Sequence, residues 1–244
     1  MYSQIYGKIG YSLFSVLAYG AAGVIIYLEA QRKKYNSENV LYIVFAALFG
    51  GLIGSKLGSA LFVYPDFYIK NPLAILFPEV GGKTIVGGLI GGYLGVVIAK
   101  RILKVERSTG DLFAPGLALG IAIGRIGCFL NGCCYGVISH LPWAVMLKGE
   151  LRHPTQLYES LFCLILFIFL WLIRKRVNKE GDLFKIFLFI YSFFRFWIEF
   201  LRADKVMVVF NLSIAQIVSA FIFCLLSVYF LKQKKEGGYG KEGL

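Results

Sequence analysis

Apolar residues in this chain gather into seven long runs separated by short polar segments. The runs cover about Ile9–Leu28, Val40–Val63, Thr84–Ala99, Leu112–Leu130, Gln156–Ile173, Leu183–Leu201 and Leu212–Leu231. Many reach the roughly 20 residues that cross a bilayer as a helix. No segment between them is long enough for a separate soluble domain. The pattern predicts an all-α, polytopic integral membrane protein of about seven transmembrane helices. It forms a single transmembrane domain over residues 1–231, followed by a polar cytoplasmic tail over 232–244. The first run lacks a basic leader and a small-residue cleavage site, so it is expected to stay as a helix.

Charge sets the orientation. The net charge is +12, which in a soluble protein would point to nucleic acid. Here charged residues are only 16% of a chain that is 58% hydrophobic, and the cations sit in short loops. The segments after runs one, three, five and seven hold 3, 4, 4 and 4 Lys/Arg. The opposite side holds Lys8, Lys70, Lys83, Lys148, Arg152 and Lys205. The basic side is cytoplasmic by the positive-inside rule, which places the N-terminus outside and the C-terminus inside the cell (plasma) membrane. No nucleic-acid partner is expected. The loop from Tyr64 to Lys83, with Pro65, Pro72 and Pro78, is expected on the membrane surface.

Ionisable groups inside the runs are where chemistry is expected, because charge in a bilayer is costly and turns toward protein or water. Arg125 lies one turn before run four ends, in GIAIGRIGCFLNGCCYG over residues 120–136. Gly120, Gly124 and Gly127 allow close approach of a helix or a ligand. Asn131-Gly132 breaks the helix. Run six carries Arg195, Glu199 and Arg202 on one helical face. Lys56 lies within run two. Run five opens with RHPTQLYE over residues 152–159. Plainer readings stand beside each: glycines for helix packing, an Arg195–Glu199 structural pair, Arg202 snorkelling to the interface, and His153 as a satisfied structural histidine. Together they place several ionisable groups toward one face of the bilayer. That arrangement describes a cavity for an anionic amphiphile, with cations for a phosphate and an apolar wall for acyl chains.

GRIGCFLNG at 124–132, RHPTQLYE at 152–159, VGGLIGG at 86–92 and RFWIEFLR at 195–202 resemble the signatures of the prolipoprotein diacylglyceryl transferases. Asp111, Ala114, Pro115 and the Tyr19-Gly20 pair match as well. The resemblance follows the family's order over most of the chain. It implies a bacterial inner-membrane enzyme of lipoprotein biosynthesis. Such an enzyme takes phosphatidylglycerol from the outer leaflet, moves its diacylglyceryl group to a prolipoprotein cysteine thiol, and releases glycerol phosphate. No cofactor and no metal are implied. Carried over, Arg125 and Arg195 grip the lipid phosphate, supported by Glu199 and Arg202. Asn131 shapes the headgroup loop, and Gln156, Tyr158 and Glu159 line or brace the cavity. Gly87, Gly88, His153 and Tyr19 complete the expected lipid site.

The departures are specific. Val86 stands where the family has His before its glycine stretch, Cys128 where it has Asn, and Cys133 where it has Glu. If the family histidine serves as base, His153 or Glu159 takes that role here. These changes leave open a different acceptor, and a non-catalytic lipid- or anion-binding protein or carrier. The five cysteines, 128, 133, 134, 163 and 224, show no paired metal-ligand spacing. Cys163 and Cys224 lie in apolar runs as packing residues. Cys133 and Cys134 are either structural loop thiols or groups near the acceptor.

Overall fold

The computed structural model describes residues 2–62, 64–76, 84–203, 205, 207–209 and 211–239. The expectations on Pro78 and Lys83 lie outside these, as do the side chain of Val86 and the last residues of the tail. Helices dominate: α1 (Tyr2–Arg32), α2 (Ser37–Phe62), a short α3 (Pro65–Lys70), α4 (Ile85–Ile102), α5 (Gly110–Leu130), α6 (Thr155–Ile173), α7 (Asp182–Ile198) and α8 (Ile214–Tyr239). Five of the described helices, α1, α2, α5, α6 and α8, are long and apolar enough to cross a membrane. α4 and α7 are shorter, at 18 and 17 residues. Many large apolar side chains stay exposed, Leu172, Phe221 and Leu61 among them. A membrane protein presents such a surface to lipid, and its backbone polar groups are satisfied within helices. The chain is an all-α, multi-pass membrane protein. α8 runs through Tyr239, past the expected start of the tail at residue 232.

The chain divides into two compact units. One comprises residues 27–107 and is built on α2 against α4. Glycines four residues apart face each other here: a side chain on Gly54 would strike the carbonyl of Gly87, one on Gly91 the carbonyl of Gly50, and one on Gly95 the carbonyl of Ala46. Small residues at this spacing let two backbones touch where apolar burial gives no drive for association in lipid. Thr84 ties the start of α4 to α2, its N–H and Oγ1 both donating to the Ser55 carbonyl at 3.1 and 3.3 Å.

The other unit comprises residues 1–26 and 108–244. α5 lies at its centre. Its glycine stripe meets α1: Gly116 lies against Ala22 and Ile26, Gly120 against Ala18 and Ala22, and Gly127 against Tyr11 and Phe14. Of the two readings of that stripe, helix packing is the one seen at these positions. Ala114 and Ala118 of α5 pack with Leu166 and Leu170 of α6 and Leu183 and Phe187 of α7 in a buried core. At the N-terminal end of α5, buried Asp111 accepts from the N–H groups of Gly181 (2.9 Å) and Phe184 (3.1 Å). It thereby satisfies orphan donors at the start of α7. Asp182 links α7 to α8, accepting from Tyr229 Oη at 2.8 Å and Gln233 Nε2 at 3.1 Å.

The loop from Asn131 to Pro154 is more ordered than its sequence announces. It contains a hairpin of β1 (Val145–Leu147) and β2 (Glu150–Arg152). A second small pair is formed by β3 (Met207–Val209) and β4 (Leu212–Ser213). Residues 135–139 run between β2 and the end of α7: Gly136 and Ser139 donate to the carbonyls of His153 and Leu151, and Val137 to that of Leu201.

Candidate functional site

The C-terminal end of α5, the start of α6 and the end of α7 meet at this loop, so their polar residues converge. α5 stops at Leu130, with Asn131 as its C-cap and Gly132 at φ +64°, the left-handed geometry a glycine accepts freely. Arg125 projects from the last turns of α5 to Glu159 of α6. Its Nη2 donates to Oε1 at 2.9 Å, and its Nε lies 2.8 Å from Oε2. Tyr191 Oη of α7 donates to the same Oε1 at 2.9 Å. Buried Glu159 therefore joins three helices.

A second ion cluster sits at the end of α7. The helix tightens into a 3-10 turn over Glu199–Leu201, and Arg202 is extended. The three residues predicted to share a face still meet: Arg195 Nη1 lies 2.7 Å and Arg202 Nε 3.7 Å from Glu199 Oε2. The Arg195 contact is an ion pair whose N–H is not aligned for a hydrogen bond. Ser213 Oγ donates to Glu199 Oε1 at 2.9 Å. Tyr191 lies one turn before Arg195 on α7 and donates to the carboxylate that holds Arg125, so the charges of both arginines act on it. Both arginine side chains are largely buried, 18% and 11% exposed.

The other expected residues divide into groups. Gln156, buried, donates from Nε2 to the Cys133 carbonyl at 2.7 Å, and its Oε1 has no partner among the described residues. Thr155 Oγ1 donates to the Cys134 carbonyl at 2.8 Å. His153 Nδ1 lies 3.2 Å from Tyr158 Oη, which accepts from Trp143 Nε1 at 2.8 Å. Asn131 caps α5, its N–H donating to the Gly127 carbonyl at 3.0 Å. Tyr19 is exposed on α1, and the Gly20 beside it has open space around its Cα. Gly87 and Gly88 belong to the α2–α4 seam of the other unit, and Lys56 is buried on α2 of that unit.

Sequence reading overlooked Tyr191, Ser213 and Thr155. Tyr191 carried a signal: residues 191, 195 and 199 recur at i, i+4 and i+8 on one helical face. It also overlooked a cluster. Cys128, Cys133 and Cys134 have Sγ atoms all within 4.8 Å of one another. Hydrogen bonds from the Cys128 and Cys133 thiols, then the Arg202 and Arg125 charges, pull the Cys134 thiol well below the usual range against the opposing effect of burial. Cys133 moves up instead: its bond with Cys128 favours the thiolate, but its bond with Cys134 and burial outweigh that.

A family model described as prolipoprotein diacylglyceryl transferase matches residues 6–232. The chain is similar to the phosphatidylglycerol–prolipoprotein diacylglyceryl transferase of Clostridium tetani, 34% identical over 231 residues that cover 89% of this chain and 91% of that one. It is similar to the enzyme of that name from Clostridioides difficile, 34% identical over 248 residues, covering 96% and 99%. The one from Staphylococcus xylosus is 34% identical over 232 residues, covering 86% and 83%. The match takes in every residue of the two arginine clusters, and the chain belongs to the prolipoprotein diacylglyceryl transferase family.

Proposed function

We propose that this chain transfers the diacylglyceryl group of phosphatidylglycerol to the thiol of a prolipoprotein cysteine and releases glycerol phosphate, the transfer its relatives are named for. The observation that carries the reading is that Arg125 and Arg195 are each held by a buried carboxylate and are linked through Tyr191, which donates to the carboxylate that holds Arg125 and lies one turn before Arg195 on α7. A lipid phosphate entering between them exchanges part of each carboxylate contact for its own oxygens. When the glyceryl carbon–oxygen bond breaks, its electron pair stays on the phosphate. Fixed guanidinium groups in a dry site stabilise that growing charge without having to reorganise. Arg125, Arg195 and Glu199 are thus the catalytic group, and Arg202 supports them through Glu199.

Asn131, Gln156 and Tyr158 shape the headgroup side through the 131–154 loop, and Glu159 holds Arg125 ready. His153 stands beside them as a candidate base. Gly87, Gly88 and Tyr19 belong to the lipid's path. α4 and α7 cross the membrane with the five longer helices, giving seven spans. The N-terminus and the site face outward, where the lipobox cysteine of a prolipoprotein signal peptide is presented. Purified protein given phosphatidylglycerol labelled in its glycerol headgroup and a lipobox peptide is expected to release labelled glycerol phosphate and yield a diacylglyceryl peptide by mass spectrometry. Bound but intact lipid, under conditions where an established family enzyme turns over, overturns the reading.

A further inference from the structure

Three of the five cysteines lie together at the rim of the arginine site. Cys128 is in the last turn of α5, and Cys133 and Cys134 follow the break at Asn131-Gly132. Successive side chains of an extended chain point opposite ways. Cys134 escapes that by adopting φ +60°, and the adjacent thiols end on the same side as Cys128. The loop is fixed mainly through backbone groups, and of the three thiols Cys133 Sγ also donates weakly to the Cys128 carbonyl at 3.5 Å. Cys133 N–H donates to the Cys128 carbonyl at 3.2 Å, and buried Thr155 and Gln156 hold the carbonyls of Cys134 and Cys133. All three thiols are half-buried, neither sealed nor fully open.

We propose that Cys128, Cys133 and Cys134 bind one zinc ion as three thiolates and leave its fourth position for the acceptor thiol. Zinc–sulfur bonds of about 2.3 Å at tetrahedral angles put sulfurs roughly 3.8 Å apart. Separations within 4.8 Å close to that value by rotamer adjustment of the three side chains. Three protein ligands and one open position is the form of a catalytic zinc site. Zinc with three thiolates carries one negative charge and with a fourth carries two, beside the Arg202 and Arg125 charges that act on Cys134.

The chemistry closes. The acceptor thiol loses its proton to water as its sulfur binds zinc, since a coordinated thiol is deprotonated outright. The sulfur's electron pair then forms the bond to the glyceryl carbon. The carbon–oxygen bond breaks, its pair stays on the phosphate, and glycerol phosphate departs. The neutral thioether is a poor zinc ligand and leaves the fourth position open again. The metal's place on three cysteines stands apart from the transferase reading; only the identity of the fourth ligand rests on it.

The test uses the full chain in detergent, reduced and stripped of metal, with Co²⁺ as the probe and Zn²⁺ as its competitor. One Co²⁺ per chain, with thiolate-to-metal charge-transfer absorption that Zn²⁺ abolishes, is expected. A lipobox peptide is expected to change the visible cobalt bands, and its Cys→Ser analogue to leave them alone. In unaltered protein, Zn²⁺ is expected to protect Cys128, Cys133 and Cys134 from maleimide relative to the same protein stripped of metal. Cys128→Ser, or the triple Cys128→Ser/Cys133→Ser/Cys134→Ser, removes the charge-transfer band; the labelling arm holds even if these variants do not fold. No charge-transfer band, no protection, or a disulfide between two of the three overturns the site. A band indifferent to the peptide overturns the acceptor's role. Stripping is expected to lower transfer roughly a hundredfold, as loss of an activated nucleophile would, with zinc restoring it. Full transfer without metal overturns the proposal and leaves the transferase reading intact. A metal that responds to peptide in a protein that transfers nothing supports the site and fails the transferase reading alone.

Discussion

Glu159 holds Arg125 with both of its oxygens, Oε1 2.9 Å from Nη2 and Oε2 2.8 Å from Nε. The carboxylate is buried and the guanidinium largely so, with side chains 2% and 18% exposed. Only close, two-pronged geometry offsets the cost of removing two such charges from water. The pair therefore orients the arginine that the lipid phosphate is expected to meet, at the junction of α5 and α6.

Arg125→Ala is expected to cut lipid transfer by roughly 10²–10³, the usual cost of losing one preorganised charge-stabilising group. It also strands the buried Glu159 carboxylate, which costs about 3–5 kcal/mol in comparable cases. Adding Glu159→Gln removes the stranded charge. The double variant is expected to recover thermal stability in detergent while remaining inactive. Turnover near that of the unaltered protein in either variant rules out the phosphate grip.

The α2–α4 seam surrounds its neighbouring glycines differently. A Cβ on Gly87 would run into the Gly54 carbonyl, whereas one on Gly88 would meet Gly51 and Ser55 at 3.5 Å, an ordinary contact. Gly87→Ala is expected to destabilise by about 1–3 kcal/mol through overpacking. Gly88→Ala is expected to unfold at the same temperature as the unaltered protein but to show a raised KM for phosphatidylglycerol. An unchanged KM removes Gly88 from the lipid site.

Gly136 makes a similar case for the loop. A side chain there would lie 2.6 Å from the His153 Cβ and carbonyl and 3.0 Å from the Leu201 carbonyl. Gly136→Ala is expected to loosen the 131–154 segment, read as faster proteolysis there with α5 and α6 still protected. Proteolysis at the original rate shows that the strand between β2 and the end of α7 does not hold the loop.

Much of this was legible because the bilayer makes sequence patterns strict. Apolar runs gave the helices, and several ionisable residues inside them are ones the fold brings together at the ends of α5 and α7. Arg195, Glu199 and Arg202 were placed together by helical spacing alone, and they meet even though the helix tightens before Arg202. For Gly120 and Gly127, helix packing was the plainer of two readings, and α1 lies against both. The cysteine cluster was not legible. It depends on the reversal at Gly132 and the left-handed Cys134, which together bring a helix-end thiol to two loop thiols. Metal-ligand spacing rules do not describe that geometry. The strands of the 131–154 loop escaped notice for a related reason: three-residue strands carry too little alternation to be read.

Tyr191 gives the sharpest test of how the two clusters cooperate. Its hydroxyl donates to Glu159 Oε1 at 2.9 Å, the same oxygen that accepts from Arg125 Nη2. In Tyr191→Phe that oxygen has Arg125 alone, so the carboxylate holds the guanidinium more tightly. A hydrogen bond to a charged group contributes about 1.5–3 kcal/mol, and part of it is lost here. A lower melting temperature is therefore expected. The kinetic effect follows from competition: the lipid phosphate must displace a stronger Glu159 contact, so KM for phosphatidylglycerol rises severalfold while kcat stays close to its original value. A fall in kcat at unchanged KM would mean that the tyrosine hydroxyl acts in the bond-breaking step itself. In that case Glu159→Gln, which relieves the competition, would leave the Tyr191→Phe defect uncorrected.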